Sequence, residues 1–348
     1  LLRSFASRIA QFKTCGPELS KQAHTICNVN YIGLGTSNFL AKEAARLLLK
    51  DGLVAFPTET VYGLGADAEN PLAIDRIYKV KNRPSDHPVI VHIANSSDVP
   101  FWARSTPDYA HALMRDYWPG PMTLILPRSQ NAKDFITGGQ DSVGLRVPNH
   151  PMALLLILEF QKLGGHGLAA PSANRYGAVS PTTKSAVESE LRKYLDPTDL
   201  ILDGGASEVG VESTIIDCTG SNPQILRPGA ITAEMIETST GIVVTEPKEQ
   251  TLRVSGSHKQ HYSPRAKVLV GGTALADEGL IAMSNVLTPR GTFRLCEPET
   301  LEDFARALYA ALRKADELDL KVVRVVPPVG DGLAIALRDR IARSAAKN

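Results

Sequence analysis

Cysteine is scarce and scattered in this 348-residue chain: the four present are Cys15, Cys27, Cys218 and Cys296. None stands in a C-x-x-C pair, so neither a thiolate metal site nor a disulfide framework is expected, and a reducing compartment is the natural setting. Net charge is also nearly absent. Lys and Arg total 38 against 37 Asp and Glu, which argues against a surface built to coat nucleic acid. A local basic pocket is still allowed. No apolar run approaches the roughly 20 residues that cross a bilayer; Met152–Leu158 is far too short. H-x-x-x-H pairs and carboxylate clusters are missing, so no protein-built metal site is expected. Wholesale disorder is excluded by a 43% hydrophobic and 22% charged composition.

The length suggests about two domains of ordinary size. Residues 1–35 form an N-terminal extension with no assigned role. Arg3, Arg8, Lys13 and Lys21 face only Glu18 in its first 30 residues, and a targeting segment and an unspecified tail both fit. The chain does not open on Met. Because the tail lacks an amphipathic helix, the cytoplasm is the expected location. From residue 36 to 245 short strands alternate with helices. LVAF (53–56), VIVHI (89–93), MTLILP (122–127), VGLRV (143–147), STIID (213–217) and QILR (224–227) read as strands. Residues 38–50, 71–79, 107–117, 151–161 and 183–194 read as helices, and Pro107, Pro151 and Thr182 suit helix starts. This is a strand-rich α/β pattern. Residues 246–267 show no period and read as a linker or a lid. Residues 268–348 alternate again. Strands are expected at 267–272, 281–286 and 321–326, and helices at 301–315 and 332–345. Thr300 and Asp303 resemble a capping box, and Leu301, Phe304, Leu308 and Leu312 form one stripe.

Several segments carry ligand-type residues. Lys79, Lys81, Arg83 and His87 crowd nine residues; phosphate or carboxylate recognition and a solvated positive face both fit. Arg146 sits in an apolar strand just after Ser142, and Arg227 precedes Pro228–Gly229. Each is either an anion contact or a surface arginine. In PSANRYGAVSP (171–181), Ser172, Asn174 and Ser180 supply neutral donors or ordinary turn caps. Ser213 and Thr214 open a strand. Thr58, Thr60 and Tyr62 surround a Gly-rich corner and serve either substrate or plain β structure. Glu59 has no partner at a spacing that makes a catalytic dyad. Tyr262 stands in the linker beside His258 and His261.

In order, PTETVYGLGADA (57–68), KNRP with His87–Pro88, WPGPMTLILP (118–127), VGLRVPNHP (143–151), AAPSANRYGAVSPTT (169–183), ILDGG (201–205), GVESTIID (210–217) and ILRPGAI (225–231) resemble the Sua5/YrdC/YwlC family, L-threonylcarbamoyladenylate synthases. HYSP (261–264) and the closing GDGLAIALRDRIARSAAK resemble its two-domain Sua5 form. The linker departs from the family pattern: VSGSHKQHYSP lacks a Pro before Gly, and Ser263 replaces Ala.

The resemblance implies a YrdC-like twisted open mixed sheet around a large basic cavity, followed by a small Rossmann-like C-terminal domain. The implied activity converts L-threonine, bicarbonate and ATP to L-threonylcarbamoyladenylate, pyrophosphate and water, feeding N6-threonylcarbamoylation of adenosine 37 in tRNA. It implies Lys81 and Arg83 as catalytic phosphate binders, and Thr58, His87, Arg146, Ser213 and Thr214 around threonine. Ser142, Ser172, Asn174, Ser180, Arg227 and Tyr262, with Lys81 and Arg83, are the implied ATP contacts. ATP is a substrate, with Mg2+ carried mainly by its phosphates and no metal site on the protein. Expected partners are the tRNA threonylcarbamoyl transfer machinery and weakly bound RNA, with no membrane, for a monomer. An RNA-binding module without synthesis is the competing reading; threonine-dependent pyrophosphate release separates the two.

Overall fold

The structure, a computed structural model, describes residues 36–245, 252–256 and 262–346. The basic tail, His258 and His261 therefore lie outside the described residues. Residues 36–40 are helical and belong to the first of two contact units; the second runs from Ala41 onward. It opens on helical residues 41–48, whose buried stripe is Ala41, Ala44, Ala45 and Leu48. This is the 3.6-residue spacing that the sequence displays.

Nine short strands make one mixed sheet: β1 (Val54–Phe56), β2 (Gly63–Asp67), β3 (Ile90–His92), β4 (Met122–Pro127), β5 (Ser142–Arg146), β6 (Leu168–Ala169), β7 (Leu200–Ile201), β8 (Thr214–Asp217) and β9 (Gln224–Arg227). Their order is β7-β1-β2-β6-β3-β5-β4-β8-β9. Helices Pro71–Lys81, Asp108–Tyr117, Pro151–Lys162 and Lys184–Leu191 accompany the sheet. Asn70 caps the first of these by accepting from the amides of Leu72 and Ala73.

The register positions the functional side chains. β3 and β5 are parallel and pair His92 with Arg146. β4 runs antiparallel to β5, β8 parallel to β4, and β9 antiparallel to β8. The ends of β3 and β5, the start of β8 and the end of β9 therefore lie on one side. His92, Arg146, Ser213–Thr214 and Arg227 share that edge.

The corner at Gly63–Gly65 departs from expectation, because residues 63–67 form β2 rather than a turn. Glycine is needed there for space. A Cβ on Gly65 would stand 2.7 Å from the ring of Phe56, and one on Gly63 3.3 Å from the Ala170 methyl. Two glycines in a strand weaken the β signal that a sequence displays.

Four parallel strands form the second sheet, in the order β10-β13-β11-β12: β10 (Lys267–Val270), β11 (Gly279–Ile281), β12 (Phe293–Cys296) and β13 (Val322–Val325). β11 starts two residues earlier than the expected 281–286, and β12 was not foreseen. It is a four-residue sheet edge, too short to show a period. Helix Ala233–Thr240 was also unforeseen; its Glu-Thr-Ser-Thr end is poor helix sequence, but Thr232 and Gly241 bracket it. Helix Leu301–Glu317 is capped by Thr300 and buries Phe304, Leu308 and Leu312 as expected, while Leu301 is only partly buried. Val61, Val179 and Val211, from around the first sheet, belong to the same apolar cluster as this helix.

Gly65→Ala should lower the unfolding free energy by about 1–3 kcal/mol, the usual cost of overpacking a tight interior. Denaturant titration of the two proteins measures this directly.

Candidate active site

The hollow at the shared strand edge begins with the 57–62 turn. Thr58 donates its hydroxyl to the Val61 carbonyl at 2.6 Å and lies 2.9 Å from the Thr60 hydroxyl, so the turn is held by its own side chains. Arg146 enters from the end of β5. Its Nη2 lies 2.7 Å from Glu59 Oε2, with both side chains buried. His92 lines the hollow beside it. Burial, then the positive charge of Arg146, pushes the imidazole down to about 3, so it is neutral near pH 7.

Two further guanidinium groups face the same space. Arg83 donates to the Pro88 carbonyl at 2.9 Å. Arg227, at the end of β9, donates through Nε and Nη2 to the Ser213 carbonyl at 3.1 and 2.9 Å, and through Nη2 to the Ser213 hydroxyl at 3.1 Å. Its Nη1 reaches the Ser255 carbonyl at 2.8 Å. Burial lowers the pKa of both arginines from the ordinary value. Thr58, Arg83, Arg146, Ser172, Ser213, Arg227 and Tyr262 all line one hollow.

The expected large basic cavity is not found open: the hollow has a basic wall but is small, because the chain itself covers it. Ser255, Gly256 and Tyr262 pack into it and leave about 50 Å³ of free space. That is room for a few waters only. Gly256 has φ +81°, and a Cβ there would stand 2.6 Å from the Tyr262 hydroxyl and 3.0 Å from Arg227 Nη1. Tyr262 itself adopts φ +62° and is buried, which costs a tyrosine backbone strain. Its ring lies 5.5 Å from that of Tyr309.

The remaining candidates do not line this hollow. Lys81 does not line the hollow. Its ammonium donates to the carbonyls of Ser172 and Asn174, and burial, with Arg83 nearby, holds its pKa well below the usual lysine range. Asn174 braces the same turn through the Arg175 and Ala178 carbonyls. His87 packs on Tyr176, and Thr214 donates to the Ile231 carbonyl. Ser142 lines a smaller adjoining recess beside Gln140 and Ser255. Ser180 donates to Glu212 Oε1 at 2.7 Å.

Sequence reading considered Glu59 without finding its partner, and missed Glu212. Glu59 and Glu212 are both buried in the wall region. The available signal for Glu212 was a Glu between Val211 and Ser213, just ahead of the strand Thr214–Asp217. Likewise, His92 interrupts the apolar run VIVHI. Glu212 also accepts from the Tyr309 hydroxyl and from Arg340 Nε, each at 2.8 Å. Burial alone would raise its pKa; Arg340 and Arg227, helped by the Ser180 and Arg340 hydrogen bonds, outweigh burial and bring it down to about 2.

A depressed carboxylate stabilises the fold above its unfolded pKa and loses that contribution as pH falls toward the folded value. Glu212→Gln should therefore be less stable than wild type at pH 6. The difference should shrink as pH falls below about 4.5 toward 2, because wild-type Glu212 then takes up its own proton. Paired unfolding titrations across pH 6 to 3 check this.

A family model described as "Telomere recombination", covering Sua5, YciO and YrdC, matches residues 46–229. A second, described as the C-terminal domain of threonylcarbamoyl-AMP synthase, matches residues 231–346. The threonylcarbamoyl-AMP synthase of Pyrococcus abyssi is 36% identical over 321 residues, 86% of this chain and 92% of that protein. That of Bacillus subtilis is 37% identical over 330 residues, 88% of this chain and 93% of that protein. The crystal structure of P. abyssi Sua5 complexed with L-threonine matches with a TM-score of 0.80 at 34% identity, covering 88% of this chain and 94% of the other. This chain belongs to the Sua5/YrdC/YwlC family of L-threonylcarbamoyladenylate synthases, in its two-domain Sua5 form.

Proposed function

We propose that the hollow ringed by Arg83, Arg146 and Arg227 is the active site of this synthase. The enzyme converts L-threonine, bicarbonate and ATP to L-threonylcarbamoyladenylate, pyrophosphate and water. The observation that carries the assignment is the convergence of three buried guanidinium groups on one space, beside hydroxyls from Thr58, Ser172 and Ser213.

The chemistry needs such a wall. The threonine amine forms a carbamate with carbon dioxide or bicarbonate, and a carbamate oxygen then attacks the α-phosphorus as pyrophosphate leaves. Carbamate and triphosphate are both anions, so their encounter is opposed by charge. Fixed arginines offset this repulsion in a site sheltered from water. Arg146, with Thr58 nearby, suits the threonine carboxylate. Arg83, Arg227, Ser172 and Ser213 suit the nucleotide. Lys81 and Asn174 hold the 171–174 turn that presents Ser172. His87, Ser142, Ser180 and Thr214 belong to the supporting layer. No side chain has to form a covalent intermediate; catalysis is positioning and charge stabilisation.

Ser255 and Gly256 must withdraw to admit a nucleotide, because about 50 Å³ holds no such molecule. Their return, with Tyr262, limits water access to the labile carbamate. The walls do not fit a protein-held Mg2+. Among the described residues no group of three or more metal-ligating side chains exists, and Glu59 and Glu212 are each occupied by an arginine. Mg2+ is assigned to the nucleotide phosphates.

We assign residues 36–245 to catalysis, 246–267 to the lid and 268–348 to a supporting domain, in a cytoplasmic monomer. Among the described residues no helix is long and apolar enough to cross a membrane. The adenylate is handed to the machinery that transfers threonylcarbamoyl to tRNA; the near-balanced charge of the whole chain argues against a broad basic surface for RNA.

The deciding experiment is mass-spectrometric detection of L-threonylcarbamoyladenylate from ATP, threonine and bicarbonate. Product must vanish when bicarbonate is omitted and carbon dioxide excluded; pyrophosphate release independent of threonine would overturn the reading. Arg146→Ala should raise the KM for threonine by about 10- to 100-fold, the loss expected for a charge-assisted hydrogen bond. Gly256→Ala should lower kcat several-fold and also lower the melting temperature, because a methyl at φ +81° is strained and meets the Tyr262 hydroxyl and Arg227. Steady-state kinetics and a melting curve on the same preparation test both parts.

A further inference from the structure

The terminal domain places one arginine against the chain that forms the wall of the hollow. Arg340, on helix Leu333–Ala345, is fully buried. Its Nε lies 2.8 Å from Glu212 Oε2, and its Nη2 donates to the Pro228 carbonyl at 3.0 Å. The guanidinium also lies over the Tyr262 ring, 5.4 Å from its centre. Pro228 follows Arg227, and Glu212 precedes Ser213. Arg340 therefore contacts the immediate chain neighbours of both.

Charge makes this contact consequential. Glu212 is a buried carboxylate that lines the hollow assigned to the triphosphate. Left alone it would repel phosphate and attract Arg227. Arg340 supplies the compensating charge, and Tyr309 supplies a hydrogen bond at 2.8 Å. The second carboxylate nearby, Asp339, binds Arg340 Nη1 at 2.5 Å and Arg343 Nε at 2.9 Å. Two carboxylates thus face two guanidiniums of the terminal helix.

We propose that Arg340 is a positioning residue for ATP: by neutralising Glu212 from the terminal domain, it keeps Arg227 directed at the nucleotide. This rests on the synthase reading of the hollow. The terminal domain then completes the phosphate site electrostatically without touching substrate.

The test is a double-mutant cycle on the full chain, read by calorimetric binding of a non-hydrolysable ATP analogue and by steady-state kinetics. Arg340→Met keeps bulk and removes charge. It should weaken analogue binding and raise the KM for ATP by about tenfold or more, since an unpaired buried carboxylate is left behind, with the threonine KM changed less than twofold. Adding Glu212→Gln should restore ATP affinity to within a few-fold of wild type. Arg340→Lys, which keeps the charge, should stay close to wild type. The inference is overturned if Arg340→Met binds the analogue normally, if it weakens threonine equally, or if the double variant recovers nothing. Should Arg340→Met fail to fold, the other two variants decide: tenfold loss of ATP affinity in either a folded Arg340→Lys or a folded double variant overturns the inference, and near-normal affinity in both supports it. Absence of product from wild type would instead defeat the synthase reading itself, so the two failures are distinct.

Discussion

Packing several guanidinium groups around one small hollow is the constraint that governs this protein. Like charges taken out of water repel one another and forfeit hydration. Each arginine must therefore be matched by oxygen atoms fixed in the fold. Arg146 has Glu59, Arg227 has the Ser213 carbonyl and hydroxyl, and Arg83 has the Pro88 carbonyl. Mostly neutral acceptors hold the side chains in place without cancelling them. The site is left with positive charge to apply to anions.

That demand explains the way the chain closes on itself. In the state described here the Ser255 carbonyl takes a bond from Arg227, a position suited to an oxygen of an anionic ligand. Backbone at Ser255 thus keeps the arginine solvated by protein, and in the proposed active site it holds the place of a substrate oxygen. A ligand that displaces it exchanges one oxygen partner for a stronger, charged one. Gly256 permits this approach because it has no side chain to collide with Tyr262 and Arg227.

The sequence displayed a good deal of this. Regular elements with long periods, such as Leu301–Glu317, are legible because one apolar stripe and one cap define them. Arg83, Arg146 and Arg227 are legible as candidates because a guanidinium beside apolar or turn residues is unusual. Lys81 shows the limit. Its place in a basic segment fits phosphate recognition or a solvated positive face, and does not reveal that its buried ammonium donates to the carbonyls of Ser172 and Asn174, 91 and 93 residues away. Glu212 shows the converse: one residue just ahead of β8 does not tell that Ser180, Tyr309 and Arg340, from three separate segments, donate to it.

Composition, periodicity and ordered motifs were sufficient to establish an α/β chain, its two sheet-forming regions and the kind of chemistry its residues suit, because these depend on local spacing and residue type. The strand order β3-β5-β4-β8-β9 decided which arginines share a hollow, since register across nonadjacent segments is a property of packing alone. Packing of the terminal helix likewise decided that Arg340 meets Glu212, 128 residues away. Long-range charge pairing leaves no local pattern in a single chain; only folding creates it.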